Sequence, residues 1–209
     1  MSLFSSVEMA PRDPILGLNE QFAADPSPHK VNLGVGVYFD ENGKLPLLTC
    51  VRSAEEQLMA KPSARGYLPI DGIAAYDAAV KALVFGAEST ALSEQRVATV
   101  QALGGTGGLK IGADFLKKIN PSAKVLISDP SWENHRALFT QAGFSVGTYT
   151  YYDANQRGVN FQGMLDSLRQ AEAGTVVVLH ACCHNPRSEE HTSELQSHLN
   201  LVCRLLLEK

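Results

Sequence analysis

The stretch VATVQALGGTGGLKIGADFLKKI, residues 97–119, decides the fold class of this chain. Residues 97–103 are typical of a buried strand, the glycine-rich residues 104–108 predict a tight turn, and residues 109–119 carry apolar side chains at helical spacing. Together they predict a strand–turn–helix unit, which is the building block of α/β folds.

The glycine run of this unit is a candidate phosphate site. Glycine lets the backbone turn sharply and approach a ligand, and the helix that follows presents unpaired N–H groups and a positive dipole end. Gly104, Gly105 and the hydroxyl of Thr106 would then hold the phosphate. The run is not a Walker A loop, because it reads Gly-Gly-Leu-Lys where that loop needs Gly-Lys-Ser/Thr. It is not a G-x-G-x-x-G fingerprint either, because Lys110 stands where the last glycine would be. The alternative is a tight turn without a ligand.

The alternation of strand and helix continues beyond this unit. Apolar strands are predicted at 124–128, 145–152 and 175–179, and helices at 136–142 and 161–171. Apolar strands separated by helices predict an α/β fold with a mainly parallel sheet that is covered on both faces. Before the unit, the sequence predicts a strand at 30–39 and helices at 15–24, 50–61 and 73–85.

Two polar segments follow buried strands, which is where open α/β sheets place ligands. The first, SDPSWENH at 128–135, contains the only tryptophan, Trp132, whose flat ring can stack on a planar cofactor. The alternative is a tryptophan that caps the edge of the core. The second, HACCHNP at 180–186, has the residue types of a metal site but lacks a C-x-x-C spacing. Neighbouring side chains on a strand diverge, so we expect no metal and a strand that runs into a loop with buried thiols.

The composition limits the classes of function. Of 209 residues, 44% are hydrophobic and 19% charged, and the formal net charge of −4 gives no basic surface for nucleic acid or for a membrane. The sequence has no apolar stretch long enough to span a bilayer and no secretory signal at its amino terminus. Four cysteines do not make a disulfide framework in a chain of this size, which favours a cytoplasmic protein with free thiols.

Six motifs, in this order, resemble the class I pyridoxal-phosphate-dependent aminotransferases of the aspartate and aromatic amino acid branch. They are DPILGL at 13–18, NLGVGVY at 32–38, YLPIDG at 67–72, GGTG at 104–107, SWENH at 131–135 and CCHNP at 182–186. Six motifs in register identify residues 13–186 as the N-terminal part of such an enzyme. The resemblance implies fold type I, with an N-terminal arm and small-domain segment at 1–45 and a partial large domain with a mainly parallel sheet at 46–186.

The resemblance implies a cofactor, pyridoxal 5'-phosphate, and the residues that hold it. Gly104, Gly105 and Thr106 would bind its phosphate, in agreement with the helix-terminus argument. Trp132 would stack on its pyridine ring, and Asn185 would donate a hydrogen bond to its phenolic oxygen. In such enzymes the cofactor is the electron sink, and the protein positions and tunes it.

The same resemblance implies substrate contacts and a homodimer. Gly36 would lie against the substrate through its backbone, Trp132 would contact the substrate carboxylate, and Asn185 would also border the substrate. Tyr67 would reach the cofactor phosphate of the neighbouring subunit, which implies the dimer. His135 would support the aspartate that pairs with the pyridine nitrogen.

The chain departs from the family pattern after Pro186. The family continues with Thr-Gly and a run that carries the Schiff-base lysine, whereas here Arg187 follows and that run is missing, so we assign no catalytic residue. The tail at 187–209 begins RSEEHTSELQS, which resembles a translated sequencing adapter, and we expect it to be non-native. The alternative is a natural amphipathic helix.

The predicted function is transamination between aspartate or aromatic amino acids and 2-oxoglutarate in a cytoplasmic homodimer. We expect the 209-residue chain itself to be inactive, because the lysine nucleophile is missing. The alternative is a naturally short, non-catalytic α/β module that binds phosphate. Covalent binding of pyridoxal phosphate by a full-length product would separate the two.

Overall fold

The computed structural model describes residues 4–9, 16–32, 34, 38–64, 66–181 and 183–186. The chain divides into two units, Met1–Gly66 and Tyr67–Lys209, and all the described strands lie in the second. The predicted tail at 187–209 lies outside the described residues, as do Gly36 and Cys182.

Within its described residues, the first unit contains two helices, α1 (Leu16–Ala24) and α2 (Thr49–Ala60). They confirm the helices predicted at 15–24 and 50–61. Every residue of α2 is exposed, so local helix preferences and surface contacts stabilise this helix, and burial in a core does not. Across both units, no helix of the described residues is long and apolar enough to cross a membrane.

The strand predicted at 30–39 is wrong for the described residues of that range. Side chains tie this segment to α1 instead: Lys30 Nζ donates to the Phe22 carbonyl at 2.6 Å, and Asn32 Nδ2 donates to Asn19 Oδ1 at 2.8 Å. A strand needs a neighbour to pair with its backbone groups, and the described part of this unit contains no second strand. An alternating apolar pattern alone is therefore not enough to form a strand.

The second unit has five helices and five strands within its described residues. In chain order they are α3 (Ala74–Phe85), α4 (Thr90–Ser93), α5 (Gly104–Ile119), β1 (Lys124–Asp129), α6 (Glu133–Gln141), β2 (Ser145–Thr150), β3 (Tyr152–Asp153), β4 (Gly158–Val159), α7 (Phe161–Arg169) and β5 (Val176–Val177). The short helix α4 and the antiparallel pair β3–β4 were not predicted.

Three parallel strands form the sheet in the order β2–β1–β5, which confirms the predicted parallel α/β fold. β1 and β2 pair along their whole length. β5 is two residues long, shorter than the predicted 175–179, although the Val178 N–H still donates to the Leu126 carbonyl at 2.9 Å. Because the strands are parallel, their carboxyl ends lie at one edge of the sheet, and the loops that follow them meet there.

Helices cover both faces of the sheet, as predicted. On one face, Val125 of β1 packs with Ala113 of α5 and Phe139 of α6. On the other face, Tyr149 of β2 packs with Met164 of α7. Successive side chains of a strand point to opposite faces, so each strand contributes to both cores.

The strand predicted at 97–103 does not form. Its apolar residues Val100 and Leu103 are exposed, and Gln101 is tied to the loop before α3, where its N–H donates to the Asp71 carbonyl at 2.9 Å. The described residues place no strand beside this segment, so its backbone has no ladder to join.

The glycine run is the first turn of α5, not a separate turn before the helix. The sharp change of direction occurs at Gly104, whose φ is +65°, a conformation that glycine adopts at little cost. Ala113 and Leu116 of the same helix pack against the sheet, and this packing outweighs the low helix propensity of the glycines.

Candidate functional site

The amino end of α5 lies at the carboxyl edge of the sheet. A helix of 16 residues is about 24 Å long and a strand of six about 20 Å, so α5 and β1 have similar lengths. The short connection at 120–123 reverses the chain between them. α5 therefore runs antiparallel to β1, and its first turn comes to the edge where β1 ends.

That helix end has the geometry of an anion site. A Cβ built on Gly104 or Gly105 would meet no atom within 4 Å, so the backbone is open to a ligand. The Gly104 N–H already donates to the Ala102 carbonyl at 3.1 Å, so the N–H groups of Gly105 and Thr106, which have no partner inside the helix, are the ones an anion can use. Thr106 adds an exposed hydroxyl. The structure thus places the three predicted phosphate residues together on one accessible helix end.

Trp132 and His135 form the second part of the site. Trp132 directly precedes α6, and its indole meets the His135 ring edge-on, with the ring centroids 5.2 Å apart. His135 is buried, and its Nδ1 lies 2.9 Å from Ser131 Oγ. Burial lowers the pKa of His135, so its ring is neutral at neutral pH. A neutral ring in a fixed orientation can act as a directional hydrogen-bonding group.

The loop that follows β5 completes this cluster of rings. The centroid of the His180 ring lies 5.1 Å from that of His135 and 4.3 Å from that of His184. The Asn185 N–H donates to His180 Nδ1 at 3.3 Å. Burial, together with the neighbouring His184 and His135, lowers the pKa of His180 to about 4. Trp132, His135 and Asn185, which the sequence predicted separately, are therefore linked by direct contacts.

An open cavity of about 510 Å³ lies beside Trp132. It is bounded by the end of β1, the start of α6 and one residue of β2, and its polar lining includes Ser128, Asp129, Ser131, Glu133, Arg136 and Thr148. The lining contains no lysine and no residue of the glycine run. The cavity therefore covers only the Trp132 side of the site and supplies no amine nucleophile.

The two remaining predicted residues are Tyr67 and Gly36. Tyr67 is fully exposed to solvent, so its predicted role requires a molecule that approaches from outside. Gly36 lies outside the described residues, and its predicted substrate contact stays a prediction.

Sequence reasoning missed His180 and His184 as members of the cluster. The available signal was their spacing of four residues in HACCHNP at the end of a strand, which we interpreted only for metal binding. Within the described part of the chain, no three His, Cys, Asp or Glu side chains are placed to hold a metal ion. The histidines contact one another and Tyr151 through their rings instead.

Comparison with known proteins gives a family match over most of the chain. The model of the family "Aminotransferase class I and II" matches residues 28–191. The aspartate aminotransferase of Pseudomonas aeruginosa is 63% identical over 186 residues, which are 89% of this chain and 47% of that protein. The aromatic-amino-acid aminotransferase of Escherichia coli is 47% identical over 193 residues, which are 92% of this chain and 49% of that protein.

Solved structures give the same result. The aromatic-amino-acid aminotransferase of Burkholderia pseudomallei, covalently bound to pyridoxal phosphate, superposes with a TM-score of 0.85 at 61% identity, over 96% of this chain and 51% of that one. The cytoplasmic aspartate aminotransferase of Saccharomyces cerevisiae has a TM-score of 0.80 at 36% identity, over 88% of this chain and 45% of that one.

This chain spans about half the length of the curated relatives it matches. Its parallel sheet and covering helices have the fold of these enzymes, as the motifs of the sequence predicted. On the family match and on these identities, the chain belongs to the class I and II aminotransferases.

Proposed function

We propose that these residues form the N-terminal part of a transaminase that moves an amino group between aspartate or an aromatic amino acid and 2-oxoglutarate, with pyridoxal 5'-phosphate as cofactor. The observation that carries the proposal is the contact chain from Trp132 through His135 and His180 to Asn185. This chain lies at the carboxyl edge of the sheet, the same edge that receives the first turn of α5.

The residues present fit the cofactor. The open backbone of Gly104 and Gly105 and the hydroxyl of Thr106 would take the phosphate, whose negative charge the helix dipole favours. Trp132 would stack on the flat ring, and Asn185 would donate a hydrogen bond to the phenolic oxygen. When bound, the cofactor supplies the electron sink that amino-group transfer needs.

The protein's own contribution is orientation and charge. Ser131 Oγ lies 2.9 Å from His135 Nδ1 and fixes the orientation of the ring, and burial lowers the pKa of His135 and so keeps the ring neutral. The ring can then support the aspartate expected to pair with the pyridine nitrogen. Trp132 and Asn185 would border the substrate, with Gly36 contributing its backbone. The lysine that forms the covalent bond to the cofactor would come from sequence beyond residue 186.

A homodimer and a cytoplasmic location belong to the same proposal. Tyr67 is fully exposed, which suits a side chain that reaches the phosphate bound by a neighbouring subunit. We also assign residues 1–45 to an arm and small-domain segment and residues 46–186 to the incomplete large domain.

The test joins residues 1–186 to the second half of the Pseudomonas aeruginosa relative, which restores a lysine-bearing segment. We expect the fusion to bind pyridoxal phosphate covalently and to transaminate aspartate and 2-oxoglutarate, and the 209-residue chain to do neither. Thr106→Val, which keeps the side-chain shape but removes the hydroxyl, should weaken cofactor binding in the fusion by about 2- to 10-fold.

Two results would contradict the proposal. One is turnover by the 209-residue chain alone. The other is a folded fusion that binds inorganic phosphate as tightly as pyridoxal phosphate, which would support the non-catalytic phosphate-binding module instead.

A further inference from the structure

His184 is the most buried ionisable side chain of the described residues in the second unit. It is 1% exposed, and with Val125 it is one of the two largest fully buried side chains. It lies in the loop after β5, directly before Asn185. A polar ring is buried at a loop only when its contacts compensate for the loss of water, so those contacts indicate what the ring does.

Three neighbours enclose the His184 ring. The ring stacks on Tyr151 with centroids 4.1 Å apart and planes 9° from parallel. The ring of His180 meets it at 64°, with centroids 4.3 Å apart. Its Nε2 lies 2.9 Å from Ser128 Oγ, a buried hydroxyl at the end of β1 that is 56 positions away in the sequence. Two ring contacts and one hydrogen bond therefore fix the position of the ring.

Two hydrogen bonds lie at the buried end of the sheet. Ser128 Oγ and His184 Nε2 share one at 2.9 Å, and which of them donates depends on the tautomer of the ring. The Tyr149 hydroxyl of β2 donates the other to the Val178 carbonyl at 2.9 Å. The first bond joins the loop after β5 to β1, and the second joins β2 to the backbone that follows β5.

The bond between His184 and Ser128 tethers a loop that follows a short strand. β5 ends at Val177, so its ladder bonds lie several residues before His184 and Asn185. His184 anchors the loop to β1, and the Asn185 N–H is bound on its other side by His180 Nδ1. Asn185 itself is exposed, so its side chain is presented at the edge of the sheet by a buried neighbour.

We propose that His184 is a positioning residue that fixes the backbone of Asn185 through its bond to Ser128 and its stacking on Tyr151. The proposal rests on the proposed function, in which Asn185 binds the ring of pyridoxal 5'-phosphate while the amino end of α5 binds the phosphate. His184 then controls recognition of the ring and leaves recognition of the phosphate unchanged.

The experiment uses the whole 209-residue chain and two probes, inorganic phosphate and pyridoxal 5'-phosphate, with each dissociation constant measured by calorimetry. Their ratio reports recognition of the ring alone, because both probes carry the phosphate. The variants are Ser128→Ala, which removes the hydroxyl partner of His184 with little change in volume, His184→Gln, whose amide can donate or accept near the position of Nε2, His184→Ala and Asn185→Ala. His29→Ala removes an exposed histidine of the first unit and serves as the matched control.

We expect the wild type and His29→Ala to prefer pyridoxal phosphate by the same factor. Ser128→Ala and His184→Ala should each reduce that preference by about 3- to 10-fold without changing phosphate affinity, and His184→Gln should restore part of it. Adding His184→Ala to Asn185→Ala should produce no further loss, because both changes remove one interaction.

Three other outcomes would contradict the proposal. A wild type that prefers pyridoxal phosphate and keeps its full preference in Ser128→Ala and His184→Ala refutes the positioning role alone. Equal loss of both affinities in these two variants also refutes it, because a merely structural residue affects both probes. A wild type without any preference refutes ring recognition by this chain and the role of His184 with it, whereas the proposed function fails only if the fusion with the relative's second half also shows no preference.

Discussion

At the scale of single residues, burial decides the chemical state of the site. His135 and His180 lie in the ring cluster, and burial is the first cause of the lowered pKa of each. Two neutral imidazoles can then serve as hydrogen-bonding groups beside an anionic ligand. His180 uses its Nδ1 in this way, as the acceptor for the Asn185 N–H.

The lowered pKa of His180 predicts how stability changes with pH. The folded value is about 4, below the ordinary 6.5 that applies when the chain is unfolded. Between these values the unfolded chain binds the proton more readily, so stability is fully present above about pH 6.5 and is lost as the pH falls toward 4. We expect the melting temperature of the wild type to fall more steeply over this range than that of His180→Gln.

The control for this prediction is His29→Gln, which removes an exposed histidine. Carboxylates titrate in the same range in all three proteins, so only the difference between the melting curves reports His180. Equal slopes for the wild type and His180→Gln would show that the ring is not held in its neutral form by the fold.

Replacement of Gly72 by alanine is expected to destabilise the fold. Its φ is +102°, and a Cβ built on it would lie 2.3 Å from Gln101 Cβ. Gly72→Ala therefore combines backbone strain with a steric clash, and we expect a loss of about 2–5 kcal/mol in the free energy of unfolding, measured by urea denaturation. Gly86→Ala is the matched control, because Gly86 has φ +84° and no atom within 4 Å of a Cβ. A loss as small as that of the control would disprove the clash.

At the scale of elements, the ends of helices are decided locally and the strands are not. The helix α7 begins where Asn160 accepts a hydrogen bond at its side-chain oxygen from the Gly163 N–H, at 2.8 Å. Asparagine is among the preferred residues for this position, since its oxygen satisfies an N–H that has no partner inside the helix. By contrast, β5 and the segment 97–103 depend on whether a neighbouring strand is present.

Removal of this cap should destabilise the second unit. Asn160→Ala is expected to reduce the free energy of unfolding by about 1 kcal/mol, because the Gly163 N–H loses its acceptor. Asn160→Ser retains an oxygen that can accept the bond and should lose less. Urea denaturation followed by circular dichroism measures both variants, and an equally stable Asn160→Ala would mean that the cap contributes nothing.

At the scale of the whole molecule, an apolar surface remains uncovered. Ile111, Phe115 and Ile119 of α5 are each more than half exposed and lie four residues apart, so they form one stripe along the helix. Contiguous apolar patches on soluble proteins usually contact another surface. The 209-residue chain spans about half of its curated relatives, so we expect this stripe to cause self-association of the chain.

Phe115→Lys tests this expectation by placing a charge at the centre of the stripe. We expect the wild type to show a mass above that of a monomer in light scattering, increasing with concentration, and Phe115→Lys to reduce it. Phe161→Lys is the control, because Phe161 is similarly exposed but lies on α7, away from the stripe. A wild type that remains monomeric, or equal effects of the two variants, would contradict the prediction.

Much of the fold and part of the candidate site could be read from local patterns. The sequence predicted helices at 50–61, 73–85 and 136–142, and the structure has α2, α3 and α6 there, although α6 begins at Glu133. Apolar residues at helical spacing predicted α3, because that pattern is encoded within one segment. The apolar strands predicted at 124–128 and 175–179 placed Trp132 and Asn185 in segments that follow strands. Trp132 lies three residues after β1, whereas Asn185 lies eight residues after β5, which is shorter than predicted. These are properties of residues that are neighbours in the sequence.

Contacts between distant residues were decided only by the tertiary structure. Whether 97–103 forms a strand depends on a partner for its backbone groups, and the described residues contain none beside it. The bond between Ser128 and His184 joins residues 56 positions apart, and no periodicity in the sequence indicates it. The sequence by itself determined the family, all the described helices except α4, and the order of the polar segments that follow β1 and β5. Only the folded chain decided which of those residues are buried together, because burial and hydrogen bonding depend on neighbours that folding alone brings into contact.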